Sequence, residues 1–121
     1  MARILLIEDD AWLGMVLADL LRDAGHEVRH ADNGAAGLKA FRDWPTDLVI
    51  TDILMPTMDG IEIIRVLRRE RPGSRIIAIS DGGHSELYLS IAKQLGARRT
   101  LAKPFTDAEF LRAVREVLEM P

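Results

Sequence analysis

The chain has 121 residues, 48% of them hydrophobic, which fits one domain with apolar side chains enough for a single core. A net charge of −3 argues against nonspecific nucleic-acid binding, which draws mainly on phosphate neutralisation by Lys and Arg; the lack of cysteine excludes a disulfide framework, thiolate chemistry and a cysteine-built zinc site. Apolar runs of only a few residues fall far short of the ~20 needed to span a bilayer, and no signal-peptide pattern is present, so the expected setting is the cytoplasm with no membrane contact.

The first apolar run, Ile4-Leu5-Leu6-Ile7, is short and continuous, the pattern of a strand buried on both faces of a parallel sheet, and it stops on Glu8-Asp9-Asp10. Trp12, Leu13, Val16, Leu17, Leu20 and Leu21 then mark a helix that stops at Gly25, a suitable left-handed cap. The chain turns back into Val28-Arg29-His30-Ala31, and a second helix is predicted from about Gly34 to Trp44, with Leu38 and Phe41 inward and Pro45 ending it. Leu48-Val49-Ile50-Thr51 is the next strand and stops on Asp52. Ile61, Ile64 and Leu67 mark a third helix before Pro72-Gly73.

The run Ile76-Ile77-Ala78-Ile79 stops on Ser80, and Leu87, Ile91 and Leu95 mark a fourth helix before Gly96. Thr100-Leu101-Ala102 stops on Lys103. Thr106-Asp107-Ala108-Glu109 matches a capping box, in which the Thr hydroxyl and Glu carboxylate each satisfy an orphan backbone donor, and Phe110, Leu111, Val114, Val117 and Leu118 follow on the last helix. Trp12 and Trp44 are expected to pack at helix ends. Charge is uneven: residues 1–60 hold 5 basic and 11 acidic side chains, residues 61–121 hold 11 and 8. Arg65, Arg68, Arg69, Arg71 and Arg75 gather near the end of the third helix, where a solvated face complementing the helix dipole is favoured over a partner-binding patch.

Five strands alternating with five helices imply a parallel sheet covered on both faces, because each crossover needs a helix-length connection. Periodicity alone does not set the strand order. A doubly wound order with the first and third strands adjacent puts Glu8 and Asp9 beside Asp52, and ligands of such sheets bind just beyond the carboxyl ends of the strands. Carboxylates gathered there repel unless neutralised, and a hard divalent cation, with magnesium the natural candidate, is the usual solution. Each ending has a plain alternative: Asp9 or Asp10 as a helix cap, Asp52 as a turn residue, Ser80 as structural, Lys103 as a solvated cation. Together, a carboxylate nucleophile, a metal, a hydroxyl and a lysine describe phosphoryl transfer to an aspartate. His84 has no partner motif and is expected on a loop surface.

Glu8-Asp9, Asp52-Ile53-Leu54-Met55-Pro56 with Asp59-Gly60, Ser80 and Lys103-Pro104-Phe105 resemble the receiver domain of two-component response regulators, along essentially the whole of residues 1–121. The resemblance implies a flavodoxin-like, doubly wound α/β fold: a five-stranded parallel sheet of order 2-1-3-4-5 with five helices. It also implies that Asp52 accepts a phosphoryl group from a phosphohistidine on a sensor histidine kinase or a histidine phosphotransfer protein. Asp9, Asp52 and the Leu54 carbonyl then ligate Mg2+, with Glu8 acting largely through water. Lys103 pairs with Asp52 at rest and with a phosphoryl oxygen afterwards, Ser80 bonds another oxygen, and a cis bond before Pro104 aims Lys103 into the site. The implied molecule is a signalling switch acting on an output domain or downstream protein, with self-catalysed phosphorylation and dephosphorylation instead of turnover.

Several positions depart from that pattern. Thr100 stands where the family commonly has Tyr or Phe, which implies weaker or different coupling to the surface of the fourth helix, fifth strand and fifth helix. Asp81 replaces a small residue and either repels an incoming phosphoryl group or points to solvent. Leu54 and Gly82 offer no polar side chain to orient an attacking water, which implies a longer-lived phosphoform. Arg98-Arg99 replaces an Asp pair used in dimers of the winged-helix subfamily. An aspartate-nucleophile phosphatase of the haloacid-dehalogenase type needs an acid where Leu54 stands; a nucleotide site lacks its Gly-x-Gly-x-x-Gly loop, and a degenerate docking module would not keep all the site residues.

Overall fold

The computed structural model describes residues 1–56, 58–80 and 85–121. Its elements run β1 (Arg3–Ile7), α1 (Ala11–Asp23), β2 (Glu27–Ala31), α2 (Gly34–Asp43), β3 (Leu48–Asp52), α3 (Gly60–Glu70), β4 (Ile76–Ser80), α4 (Ser85–Leu95), β5 (Arg99–Ala102) and α5 (Asp107–Glu119). The runs without polar interruption became the interior of the sheet. Ile4 through Ile7 are each 1% exposed or less, and every residue of β3 and β4 is buried. β2 and β5, whose sequences carry Arg and His or Arg and Thr, lie at the two edges of a parallel sheet of order β2-β1-β3-β4-β5. The expected order and number of elements are therefore those observed.

Because side chains alternate across a strand, each central strand feeds two cores. Ile4, Leu6, Ile50, Ile77 and Ile79 pack with Leu17 and Leu21 of α1 and Phe110, Val114 and Val117 of α5. Leu5, Ile7, Val49 and Ala78 pack with Leu38 and Phe41 of α2, Ile63, Ile64 and Leu67 of α3, and Ala92 of α4. Among the described residues no helix is long and apolar enough to cross a membrane.

Local chemistry sets the ends of the elements. Asp10 caps α1 by accepting from the Leu13 amide at 3.0 Å, Asp59 caps α3 by accepting from Glu62 at 2.9 Å, and the Thr106–Glu109 box closes reciprocally at 3.0 Å each way. Gly25 and Gly96, after α1 and α4, take φ values of 95° and 119° that only glycine adopts readily.

Some expectations are corrected. Trp12 is 69% exposed and does not pack at a helix end, because the inward stripe of α1 is Gly14, Leu17, Ala18 and Leu21. Trp44 is buried as expected, with the Arg29 guanidinium 4.7 Å from its ring centre. Leu87 is 60% exposed, and α4 turns Ala92 inward with Tyr88, Leu89 and Leu95 partly buried beside it. Of the arginine cluster, Arg65, Arg69 and Arg71 are exposed as expected, Arg71 with its guanidinium 4.5 Å from the Phe41 ring centre, whereas Arg75 is half-buried and bonds the Met120 carbonyl at 3.0 Å. His84 lies outside the described residues.

One contact ties the start of α3 to the end of β3. The Gly60 amide donates to the Ile53 carbonyl at 2.8 Å, and a Cβ at residue 60 would come within 2.4 Å of the Asp52 carbonyl oxygen and 2.7 Å of the Ile53 Cα. Backbone atoms do not yield as a flexible side chain does. Gly60→Ala is therefore expected to destabilise the fold by about 1–3 kcal/mol. Gly73→Ala, where a Cβ meets nothing within 4 Å, is expected to stay within about 0.5 kcal/mol of wild type. Urea unfolding of the two variants checks the pair, and equal midpoints would contradict the close approach.

Candidate functional site

The register carries the polar strand endings to one edge. β1 and β3 pair with Ile7 opposite Thr51, so Glu8, the residue after β1, continues beside Asp52, the last residue of β3. β3 and β4 pair with Asp52 opposite Ile79, and Ser80 at the end of β4 lies opposite Ala102 of β5. The cluster thus sits where the chain reverses its winding direction, beyond the carboxyl ends of adjacent strands whose crossovers leave on opposite faces.

Asp52 is 4% exposed, Glu8 1%, and Asp9 is exposed at the mouth. One carboxylate oxygen from each of the three lies within 4.8 Å of the others. Lys103, just after β5, reaches across the end of β4: its Nζ is 2.9 Å from Asp52 Oδ2 and 3.0 Å from Glu8 Oε1, while its amide donates to the Ser80 carbonyl at 2.8 Å. The Lys103–Pro104 bond is cis. Asp52 Oδ1 accepts from the Leu54 amide at 3.2 Å, and Glu8 Oε2 accepts from the Asp10 amide at 3.2 Å. Both oxygens of each buried carboxylate are therefore engaged.

Of the acidic trio at the end of β1, Asp10 is the helix cap, and Glu8 and Asp9 belong to the cluster. Ser80 is fully buried in place at the strand end, and Thr100 is half-buried on β5 opposite Ala78. Asp81 and Gly82 lie outside the described residues. Two features had no expectation behind them. Lys103 pairs with Glu8 as well as Asp52, and His30 of β2 places Nε2 2.8 Å from the Glu8 backbone carbonyl. An ammonium that can reach two carboxylates cannot be told from one that reaches one by spacing alone.

Among the described residues three carboxylates gather beside one ammonium, and two of them, Glu8 and Asp52, are buried. Burial, followed by the charge of Asp52 and a hydrogen bond with it, pushes the Glu8 carboxyl up to about 7, against a weaker opposing pull from Lys103. Burial acts to lower Lys103, but its hydrogen bonds and charge contacts with Asp52 and Glu8 win and hold its ammonium above the ordinary lysine value. An all-oxygen donor set with excess negative charge suits a hard divalent cation, which would offset the repulsion between Glu8 and Asp52 that adds to burial in raising Glu8.

A model of the response regulator receiver domain matches residues 4–115 of the chain. The probable transcriptional regulatory protein SilR of Salmonella typhimurium is 40% identical over 116 residues, which cover 96% of this chain and 50% of SilR. Chemotaxis protein CheY of Bacillus subtilis is 35% identical over 117 residues, covering 96% of this chain and 97% of CheY. The chain thus spans about half the length of the first relative and nearly all of the second. Among solved structures, response regulator TrrA of Thermotoga maritima in complex with Mg2+-BeF superposes with a TM-score of 0.87 at 30% identity, covering 97% of this chain and 99% of TrrA.

The Glu8 shift makes stability depend on pH. A carboxyl at about 7 in the fold and near 4.5 when unfolded binds more protons folded than unfolded between those values. Its stabilising contribution is complete below pH 4.5 and is lost as pH rises to about 7. The loss is expected to be on the order of 1–3 kcal/mol without divalent cation. Denaturant unfolding in chelator at pH 5 and pH 8 checks this: wild type should lose stability relative to Glu8→Gln between the two, and parallel changes would contradict it.

Proposed function

Because this chain belongs to the response regulator receiver family, a signalling module and not a classical enzyme, we propose that Asp52 is its phosphoacceptor and that phosphorylation there switches its conformation. The observation that carries the reading is the Lys103 ammonium held between Asp52 and Glu8, beside a third carboxylate. A buried aspartate with one oxygen on an ammonium and the other on a backbone amide is fixed in one orientation, and a nucleophile needs that.

In the proposed reaction an Asp52 carboxylate oxygen attacks the phosphorus of a phosphohistidine. The new O–P bond forms as the P–N bond breaks, and the imidazole nitrogen leaves with the electron pair and takes up a proton. The Lys103 ammonium exchanges Asp52 for a phosphoryl oxygen, and the Ser80 hydroxyl donates to another. Asp9, Asp52 and the Leu54 carbonyl would hold Mg2+, with Glu8 acting through water. When bound, the cation neutralises the charge that accumulates on the phosphoryl oxygens during transfer. Afterwards the phosphate biases an equilibrium between two conformations of the domain.

The phosphodonor partner in this reading is a sensor histidine kinase or a histidine phosphotransfer protein. The signal passes to an output domain or a separate target protein. Support for the second part lies in the relatives: SilR, a probable transcriptional regulatory protein, is about twice the length matched.

Incubation with Mg2+ and acetyl phosphate, followed by intact mass, tests the central step. Wild type is expected to gain the mass of one phosphoryl group, with no gain in Asp52→Asn or in excess chelator. No adduct on wild type, or an equal one on both proteins, would overturn the assignment.

A further inference from the structure

We propose that His30 is a positioning residue for the acidic cluster: its imidazole, seated in a notch that Gly14 leaves in α1, fixes the Glu8 carbonyl and so the backbone that carries Glu8 and Asp9. The inference rests on the receiver reading above, because it concerns how that reading's cation-binding side chains are aimed.

The sheet stops holding β1 at this point. The Glu8 amide donates to the Ala31 carbonyl at 3.0 Å, the last ladder bond to β2, and the chain then leaves the sheet for α1. The next acceptor, the Glu8 carbonyl, takes its hydrogen bond from a side chain: His30 Nε2 lies 2.8 Å away. Since a carbonyl can only accept, that nitrogen carries the hydrogen. On the other side, the Asp10 amide donates to Glu8 Oε2 at 3.2 Å, and the Leu13 amide to Asp10 Oδ1 at 3.0 Å. The backbone is thus held on either side of Asp9, at the Glu8 carbonyl and at the Asp10 amide, and the exposed Asp9 carboxylate hangs between them.

The notch is specific. A Cβ at residue 14 would lie 2.2 Å from His30 Cε1 and 2.4 Å from Nε2, so no other residue at that position leaves the ring where it is. Gly14 is buried in the interior of α1, where glycine is a poor helix former, and the imidazole occupies the space its missing side chain leaves. Partners that orient metal-ligating groups matter because a small rotation of the supporting backbone moves a carboxylate off its ligand position.

A filler of that notch would affect stability alone; a positioning residue affects cation affinity in protein that is fully folded. The experiment is a Mg2+ titration at pH 8, followed by NMR, of wild type, His30→Leu, His30→Gln, Gly14→Ala and Asp9→Asn, with circular dichroism confirming the fold of each. His30→Leu keeps bulk but has no donor, and Gly14→Ala displaces the ring from the opposite side. Both are expected to weaken Mg2+ binding about fivefold or more. His30→Gln, whose amide can donate to the same carbonyl, is expected to stay within about twofold of wild type.

Leu and Ala variants that bind Mg2+ as wild type does, or a Gln variant as weak as the Leu variant, would overturn the proposal. Should His30→Leu fail to fold, the contrast between Gly14→Ala and His30→Gln decides in the same way. Wild type that binds no Mg2+, or Asp9→Asn that binds it equally well, would instead strike the receiver reading and take this inference with it.

Discussion

Two buried carboxylates sharing one ammonium is the interaction on which the rest of this structure depends. Glu8 and Asp52 are almost wholly removed from water, and Lys103 is the cation that reaches both. Breaking such an arrangement by removing one partner leaves an uncompensated charge in a low-dielectric setting, which is far more costly than losing a surface pair. Even with Lys103 in place, burial and then the charge of Asp52 push the Glu8 carboxyl up to about 7. A cation, or transfer of Lys103 to an incoming anion, changes the balance of charge; the resting site is poised between these states.

The scaffold serves this cluster by being rigid where the cluster attaches. The strands that end at it, β1, β3 and β4, are the three sealed on both faces, and their apolar residues alternate between two cores. Lys103 enters from the edge strand β5, so its side chain spans the end of β4 to reach β3 and β1. The close approach of Gly60 to the Asp52 carbonyl links α3 to the same point. The cluster therefore adjoins α1 on one face of the sheet and α3 on the other.

Much of this was legible in the residues. Unbroken apolar runs marked the buried strands, the Thr106–Glu109 box marked the start of α5, and of the polar residues closing four runs Glu8, Asp9, Asp52 and Lys103 meet at one edge of the sheet. Strand order was not legible from periodicity, because a period of two carries no information about neighbours, and it came from the family resemblance. Trp12 was misplaced because bulk was read as burial, whereas helix phase turned it outward. The shared pairing of Lys103 and the seat of His30 on Gly14 are contacts between residues distant in the chain, and the sole local signal was a glycine inside a helix.

Exchange of Lys103 between Asp52 and a phosphoryl group beside a cation is tested most directly by a crystal structure with Mg2+ and beryllofluoride. The expected structure has beryllium bonded to an Asp52 carboxylate oxygen, a metal ligated by Asp9, Asp52 and the Leu54 carbonyl, and Lys103 Nζ moved from the carboxylate to a fluorine. Beryllofluoride bound elsewhere, or Lys103 still bridging Asp52 and Glu8 with the group in place, would contradict it.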